Sequence, residues 1–234
     1  MNKTENTGKK LRDLFFNGHT DHRGRRAWMS VAGVLIMGAA VGLFQYAGLG
    51  MDPFQVFAHG LSYVLPLSFG NLYTSLSVVL FVLVVCLDRR KIGLGTLINM
   101  FFLGYVVDAA EAVCRSFLPE NAGIAFRLVV LLAALVILCL ATSLYMVADL
   151  GVSVYDAIAM HWSERSGKRF FVCRIITDLV CVTVGSAFCV AADGRVGGNL
   201  LVTTVGIGTV ITAFWMGPVI SFFAEHFARK ILER

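Results

Sequence analysis

An all-α fold of membrane-spanning helices is predicted by three features of this sequence. Apolar residues make up 57% of the chain against 15% charged, far from the balance of a soluble domain. They come in runs of about 20, the length that crosses a bilayer as helix. No run shows the strict alternation a membrane barrel needs. Six spans follow, at 27–47, 69–87, 93–114, 124–147, 170–191 and 200–224. Residues 1–26 and 227–234 form tails, and the remainder divides into repeats of three spans each, 27–118 and 119–226.

The division comes from recurring motifs. Gly93-Leu94-Gly95-Thr96 at the start of span 3 returns as Gly206-Ile207-Gly208-Thr209 at span 6, 113 residues later. Leu49-Gly50 after span 1 returns as Leu150-Gly151 after span 4, offset by 101. Motifs recurring in one order indicate a duplicated unit. Three crossings per unit make the second copy run in the reverse sense, so the predicted fold is a 3+3 inverted repeat.

Charge sets the orientation. Sixteen Lys and Arg residues lie in the tails, in Arg89-Arg90-Lys91 and between spans 4 and 5. Only Arg115 and Arg195 lie in the connections on the other side. The positive-inside rule then puts both termini in the cytoplasm. The net charge of +5 is therefore a topology signal, and no nucleic-acid partner is expected. The N-terminal tail does not read as a cleavable leader, because the first apolar run is too long and no small-residue cleavage site follows it.

After span 1, Phe54 to Leu65 is apolar but too short to cross; Tyr155 to Trp162 is its counterpart after span 4. Asp52 with Pro53, and Ser153, are good helix-start signals. Each short helix either lies in the interface, which asks least of the backbone, or re-enters the bilayer with its N-terminus inward. Gln55 and Asp156 occupy equivalent positions one turn in.

Ionisable groups at bilayer depth are functional candidates. Gly104, Asp108, Glu111 and Arg115 share one face of span 3, and Arg174, Asp178, Cys181 and Gly185 share one face of span 5. Glu111 with Arg115, and Arg174 with Asp178, are spaced to pair, and Arg127 is a further partner for Asp108 or Glu111. Asp108 and Asp178 are the expected ion- or proton-linked groups, against a plain role as interhelical clamps. The Gly-x-Gly-Thr motifs either let helices approach closely or unwind them, so that Gly95, Gly208, Thr96 and Thr209 line a central site. Cys173, Cys181 and Cys189 read as small apolar packing residues. His19 and His22, without acid or thiol company, do not make a metal site.

The motif set Gly48-Leu49-Gly50-x-x-Pro53-Phe54, Arg90-x-Ile92-Gly93-x-Gly95-Thr96-x-x-Asn99, Asp108, Tyr155-Asp156, Arg174-x-x-x-Asp178 and Gly217-Pro218 resembles the YczE/YitT group of bacterial multi-pass membrane proteins. The resemblance covers roughly residues 28–224 and implies a fold and a place in the bacterial cytoplasmic membrane more than an activity. Gln55 departs from the acid common there, and the connection from Asp193 to Thr204 is longer than usual.

These features favour a secondary transporter or permease for a small solute or ion. The alternative is a membrane-embedded substrate-binding subunit or scaffold that acts with partner chains. An enzyme is not expected, since neither H-E-x-x-H nor Gly-x-Ser-x-Gly occurs, and no cofactor or metal is called for. Besides the lipid bilayer, a homo-oligomer is open to such a chain. Cysteines introduced near Asn121 and Asp193 should react with an impermeant thiol reagent from outside the cell, and those near Lys91 and Lys168 should not. Labelling of the Lys91 and Asp193 positions from one side would rule out the inverted arrangement.

Overall fold

The computed structural model describes residues 22–65, 67–119, 122–196 and 204–233. Its described residues are helical with short connections: α1 (Arg23–Ala47), α2 (Pro53–Val64), α3 (Phe69–Leu87), α4 (Leu94–Phe117), α5 (Ile124–Ala148), α6 (Val154–Ser166), α7 (Phe170–Val196) and α8 (Ile207–Phe223). A π turn, Ala224–Ala228, carries α8 on into α9 (Arg229–Glu233). Six of these helical stretches are long and apolar enough to cross a membrane. We call the face where α1 begins the near face and its opposite the far face.

The helix ends differ from the sequence expectation at several places, α4 and α7 running on to Phe117 and Val196 among them. α1 begins at Arg23, inside the expected tail, and helix continues to Glu233 beyond the expected end of span 6. Basic side chains explain both extensions: Arg25 Nη1 donates to the Leu232 carbonyl at 2.8 Å, tying the two ends together. The last span is helical from Ile207 rather than 200, and residues 197–203 lie outside the described residues, as does His19. Cys173 and Cys189 are buried, Cys181 is partly so, and all three are free thiols.

α1 and α5 run antiparallel at the centre, and each is capped by an arginine from the start of the other. Arg26 Nη1 donates to the Ala148 carbonyl at 2.9 Å on the near face. Arg127 donates to the Ala47 and Gly48 carbonyls at 2.6 and 3.0 Å on the far face. The last carbonyls of a helix lack intrahelical partners and carry partial negative charge, so a guanidinium there satisfies both needs. Arg26 and Arg127 stand 101 residues apart, as do Ala47 and Ala148. Arg127 therefore does not pair with Asp108 or Glu111; Glu111 pairs with Arg115 at 2.7 Å instead.

Past each capped end the chain turns through left-handed backbone, at Gly48 and Asp149 (φ 56° and 50°) and again at Gly50 and Gly151 (φ 106° and 100°). Each turn is then gripped by the opposite half. The Gly95 N–H donates to the Leu150 carbonyl at 2.7 Å, and the Gly208 N–H to the Leu49 carbonyl at 2.9 Å. Gly93 packs on Leu150 and Gly151, and Gly206 on Leu49 and Gly50, so closely that a Cβ at either would come within 3.0 Å of backbone. Thr96 and Thr209 sit three residues into α4 and α8 and accept from the Gly93 and Gly206 N–H groups at 3.2 and 3.3 Å. The Gly-x-Gly-Thr motif is thus a helix start seated on a foreign loop, not a mid-helix kink, and the two motifs pack on loops rather than on each other.

α2 is not laid on the surface, and α6 is buried through its first half, its last turn from Glu164 to Ser166 being exposed. Pro53, Phe54, Gln55, Val56, Ala58, His59 and Gly60 of α2 are all buried, as are Val154, Tyr155, Ala157 and Ala159 of α6. α2 packs along α7, where Gly60 and Gly185 bring the backbones together. α1 meets α4 through Gly38 and Gly42, against Val106 and Ala110, the small-residue contact that lets membrane helices approach.

Gly93→Ala and Gly206→Ala should each lower thermal stability by about 1–3 kcal/mol, the cost of overpacking a filled contact. Gly217→Ala, with nothing within 4 Å of the added carbon, should be neutral. Equal stability of all three variants in a detergent melting experiment would show that the loops are not seated in this way.

Candidate functional site

The two short helices point their N-termini at one another. Asp52 caps α2, its Oδ1 accepting from the Phe54 and Gln55 N–H groups at 3.2 and 3.4 Å. Ser153 caps α6, its Oγ accepting from the Asp156 N–H at 3.1 Å. Phe54 and Tyr155, the equivalent first-turn aromatics, stack with ring centroids 4.9 Å apart. Beside them is a cavity of about 90 Å³, lined from α2 and α6 by Asp52, Phe54, Gln55, Ser153, Tyr155 and Asp156. The long helices add Tyr73, Asn99, Tyr145 and Arg174.

Arg174 organises the charge. Its guanidinium bridges Asp156 and Asp178, with Nε 3.1 Å from Asp178 Oδ1, and lies 4.5 Å from the centre of the Tyr155 ring. Tyr155 donates its hydroxyl to the same Asp178 oxygen at 2.6 Å. Asp178, 8% exposed, is therefore held by an arginine and a phenol, which offsets the cost of keeping a carboxylate away from water. Three further groups bring polar atoms to the wall. Tyr73 donates to Asn99 Oδ1 at 3.2 Å. Gln55 Oε1 and the Tyr145 hydroxyl, both buried on this cavity, have no hydrogen-bond partner. Leaving such a group unpaired costs about 1–3 kcal/mol, so two together mark a place where something polar belongs.

Larger cavities, each of about 300 Å³, lie towards the two faces. The far one is polar, lined by Gln45, His59, Tyr63, Glu111, Arg115 and Arg127 among others. The near one is mostly apolar and includes Met146, Val152, Met160, Glu164 and Phe170, positions offset by 101 from Gln45, Met51, His59, Tyr63 and Phe69. The near cavity shares Tyr145, Met146 and Asp156 with the central one. Between the central and far cavities stands a chain of rings. Phe54 meets Tyr73 at 5.6 Å, Tyr73 meets Phe69 at 5.8 Å, and Phe69 stacks on His59 at 4.5 Å.

Comparison with known proteins now has a structure to refer to. A family of unknown function, DUF6198, matches residues 24–225. The chain belongs to that family. It is similar to an uncharacterized protein of Haemophilus influenzae, 26% identical over 196 residues that cover 83% of this chain and 81% of the relative. It is also similar to the uncharacterized protein YyaS of Bacillus subtilis, 25% identical over 202 residues, 86% of this chain and 94% of the relative. No solved structure matches it. Family membership therefore supplies no chemistry, and the site must be read from its own residues.

Of the residues singled out from the sequence, Gln55, Asp156 and Arg174 line the central cavity and Asp178 touches it through Arg174 and Tyr155. Asp108 is elsewhere: its Oδ2 accepts from the Gly70 N–H at 2.9 Å, near the start of α3. Gly95, Gly208, Thr96 and Thr209 do not line the cavity. Their polar groups are taken by the opposite loop, Thr96 donating to the Val152 carbonyl at 2.7 Å and Thr209 accepting from the Met51 N–H at 3.2 Å. Read from the sequence, Tyr145 has no role, Tyr155 is only a motif residue and Asp52 is only a cap.

Asp178→Asn should destabilise the protein by about 1–3 kcal/mol, short of the 3–5 kcal/mol of a fully buried pair because the Arg174 side chain is 26% exposed. Adding Arg174→Gln should recover only part of that loss, since Asp156 then loses its guanidinium. Single and double variants as stable as the parent chain would show that the pair is not a clamp.

Proposed function

We propose that this protein is a secondary transporter or permease for a small solute or ion, built as a 3+3 inverted repeat in the bacterial cytoplasmic membrane with its near face in the cytoplasm. The observation that carries the reading is the central cavity. It lies where the N-termini of two short helices from opposite halves converge, with unpaired polar atoms on its wall. Midplane sites formed by half-helices at a repeat interface are how many secondary transporters hold substrate. In this reading α2 and α6 are re-entrant, and their irregular starts are tolerated because protein backbone and arginines satisfy them.

The two ends of the path are not equivalent. The ring chain from Phe54 to His59 is the closed far gate, while the shared lining of the central and near cavities is the open near side. At the positions equivalent to Tyr73, Phe69 and His59 the second half has Arg174, Phe170 and Met160, so it cannot build the same stack. No catalytic chemistry enters this reading.

The test uses purified protein in liposomes and a panel of labelled small solutes and ions. Saturable flux is expected for at least one of them, with Tyr73→Ala leaking from the far side. On a background lacking native cysteines, Met146→Cys should react with an impermeant thiol reagent from the near face alone in the resting protein. No flux from the pure protein, with flux or binding restored by a co-purifying chain, would instead establish the partner-dependent subunit.

A further inference from the structure

We propose that the central cavity binds a small monovalent cation, with Asp52 and Asp156 supplying the charge and Gln55 Oε1 and the Tyr145 hydroxyl supplying neutral oxygen. This names the chemical class of ligand for the cavity on which the transport reading rests. Helix N-termini ordinarily favour anions, but here each helix start already carries a carboxylate of its own, Asp52 at the cap of α2 and Asp156 in the first turn of α6. The Phe54 and Gln55 N–H groups are taken by Asp52, and the Asp156 N–H by Ser153. The guanidinium of Arg174 is taken by Asp156 and Asp178. An entering phosphate or carboxylate would meet the carboxylates of Asp52 and Asp156 on the cavity wall.

What is left over is oxygen and negative charge. The charged groups at the cavity are Asp52, Asp156 and Arg174, with Asp178 behind Arg174. Three carboxylates thus face one guanidinium, and a low-dielectric setting does not hold such an excess without a counter-ion or a proton. Asp52 uses only Oδ1 for its cap, which leaves the other carboxylate oxygen outside it. Gln55 is 6% exposed and Tyr145 3%, and their oxygen atoms are the unpaired ones. Two carboxylates and two unpartnered polar side chains set in an otherwise mostly apolar wall suit a cation better than an anion. The guanidinium of Arg174 over Tyr155 shows that this aromatic wall already seats a cation face-on.

The experiment uses the full-length protein in detergent or nanodiscs, without any flux. Thermal unfolding and calorimetry are followed against sodium, potassium, methylammonium and low concentrations of guanidinium chloride. Ionic strength is held constant with N-methylglucamine chloride, and phosphate and acetate form the anion arm. A saturable rise in melting temperature is expected for at least one small cation and not for N-methylglucamine. The inorganic and organic arms separate an alkali ion from an amine-type solute. Gln55→Leu should weaken binding about tenfold, and Asp52→Asn should abolish the response while keeping the cap, since Asn caps as well as Asp. If Asp52→Asn does not fold, Gln55→Glu serves instead, and should tighten the cation about tenfold. An equal response to every cation, a response to phosphate or acetate at fixed cation, or no saturable response would overturn the proposal. Saturable cation binding without flux defeats the transport reading and leaves this one standing; flux without cation binding does the reverse.

Discussion

The exchange of backbone hydrogen bonds between the two halves is the constraint on which the rest of the structure depends. A chain that ends a helix, turns and starts another inside a bundle exposes carbonyls and N–H groups that a bilayer cannot solvate. Here the exposed groups of one half are met by the other. Arg127 and Gly208 take the carbonyls after α1, while Arg26 and Gly95 take those after α5. Only with these satisfied can α2 and α6 begin in the interior. The glycines at 93 and 206 are required for a steric reason, because backbone must touch backbone for bonds of 2.7 and 2.9 Å to form.

The same exchange separates scaffold from site. Thr96 and Thr209 spend their hydroxyls on the seated loops, so the duplicated motif is structural and the cavity is lined by the residues just beyond it. Those lining residues are where the halves diverge. At an offset of 101, Asp52 has Ser153, Gln55 has Asp156 and Tyr73 has Arg174 as its counterpart. Matching contacts at an offset of 101 around a lining that differs between the halves leave two ends of different chemistry, one bordered by aromatic rings and one lined by methionine and valine. On the proposed function, that difference is what distinguishes the resting state from its mirror image.

Much of the fold was legible in the sequence for reasons that are easy to name. Span positions follow from run length, and the caps at Asp52 and Ser153 follow from residue type beside Pro53 and Val154. The pairing of Arg174 with Asp178 follows from helical spacing. Other features were not legible because they depend on which helix lies opposite. Spacing along α5 cannot tell that Arg127 meets the end of α1 rather than the acids of α4, although its offset of 101 from Arg26 was a signal that could have been used. Burial of α2 was hidden for a related reason: an apolar 12-residue helix looks alike at an interface and inside a bundle. Tyr145 carried no signal, since a tyrosine amid apolar residues reads as packing until its hydroxyl is seen without a partner.

The position of Arg174 links the cavity to the packing of the helices around it. Its side chain holds Asp156 on α6 and Asp178 on its own helix, and it lies on Tyr155, whose ring stacks on Phe54 of α2. One guanidinium therefore bears on both short helices at the point where they meet. At the proposed cation site, a guest beside Asp52 and Asp156 would compete electrostatically with Arg174 for the Asp156 carboxylate, one of the contacts that join α6 to α7. Such a competition ties occupancy of the cavity to the contact between a short helix and a long one. Only a differential interaction of this kind lets a ligand shift a conformational equilibrium.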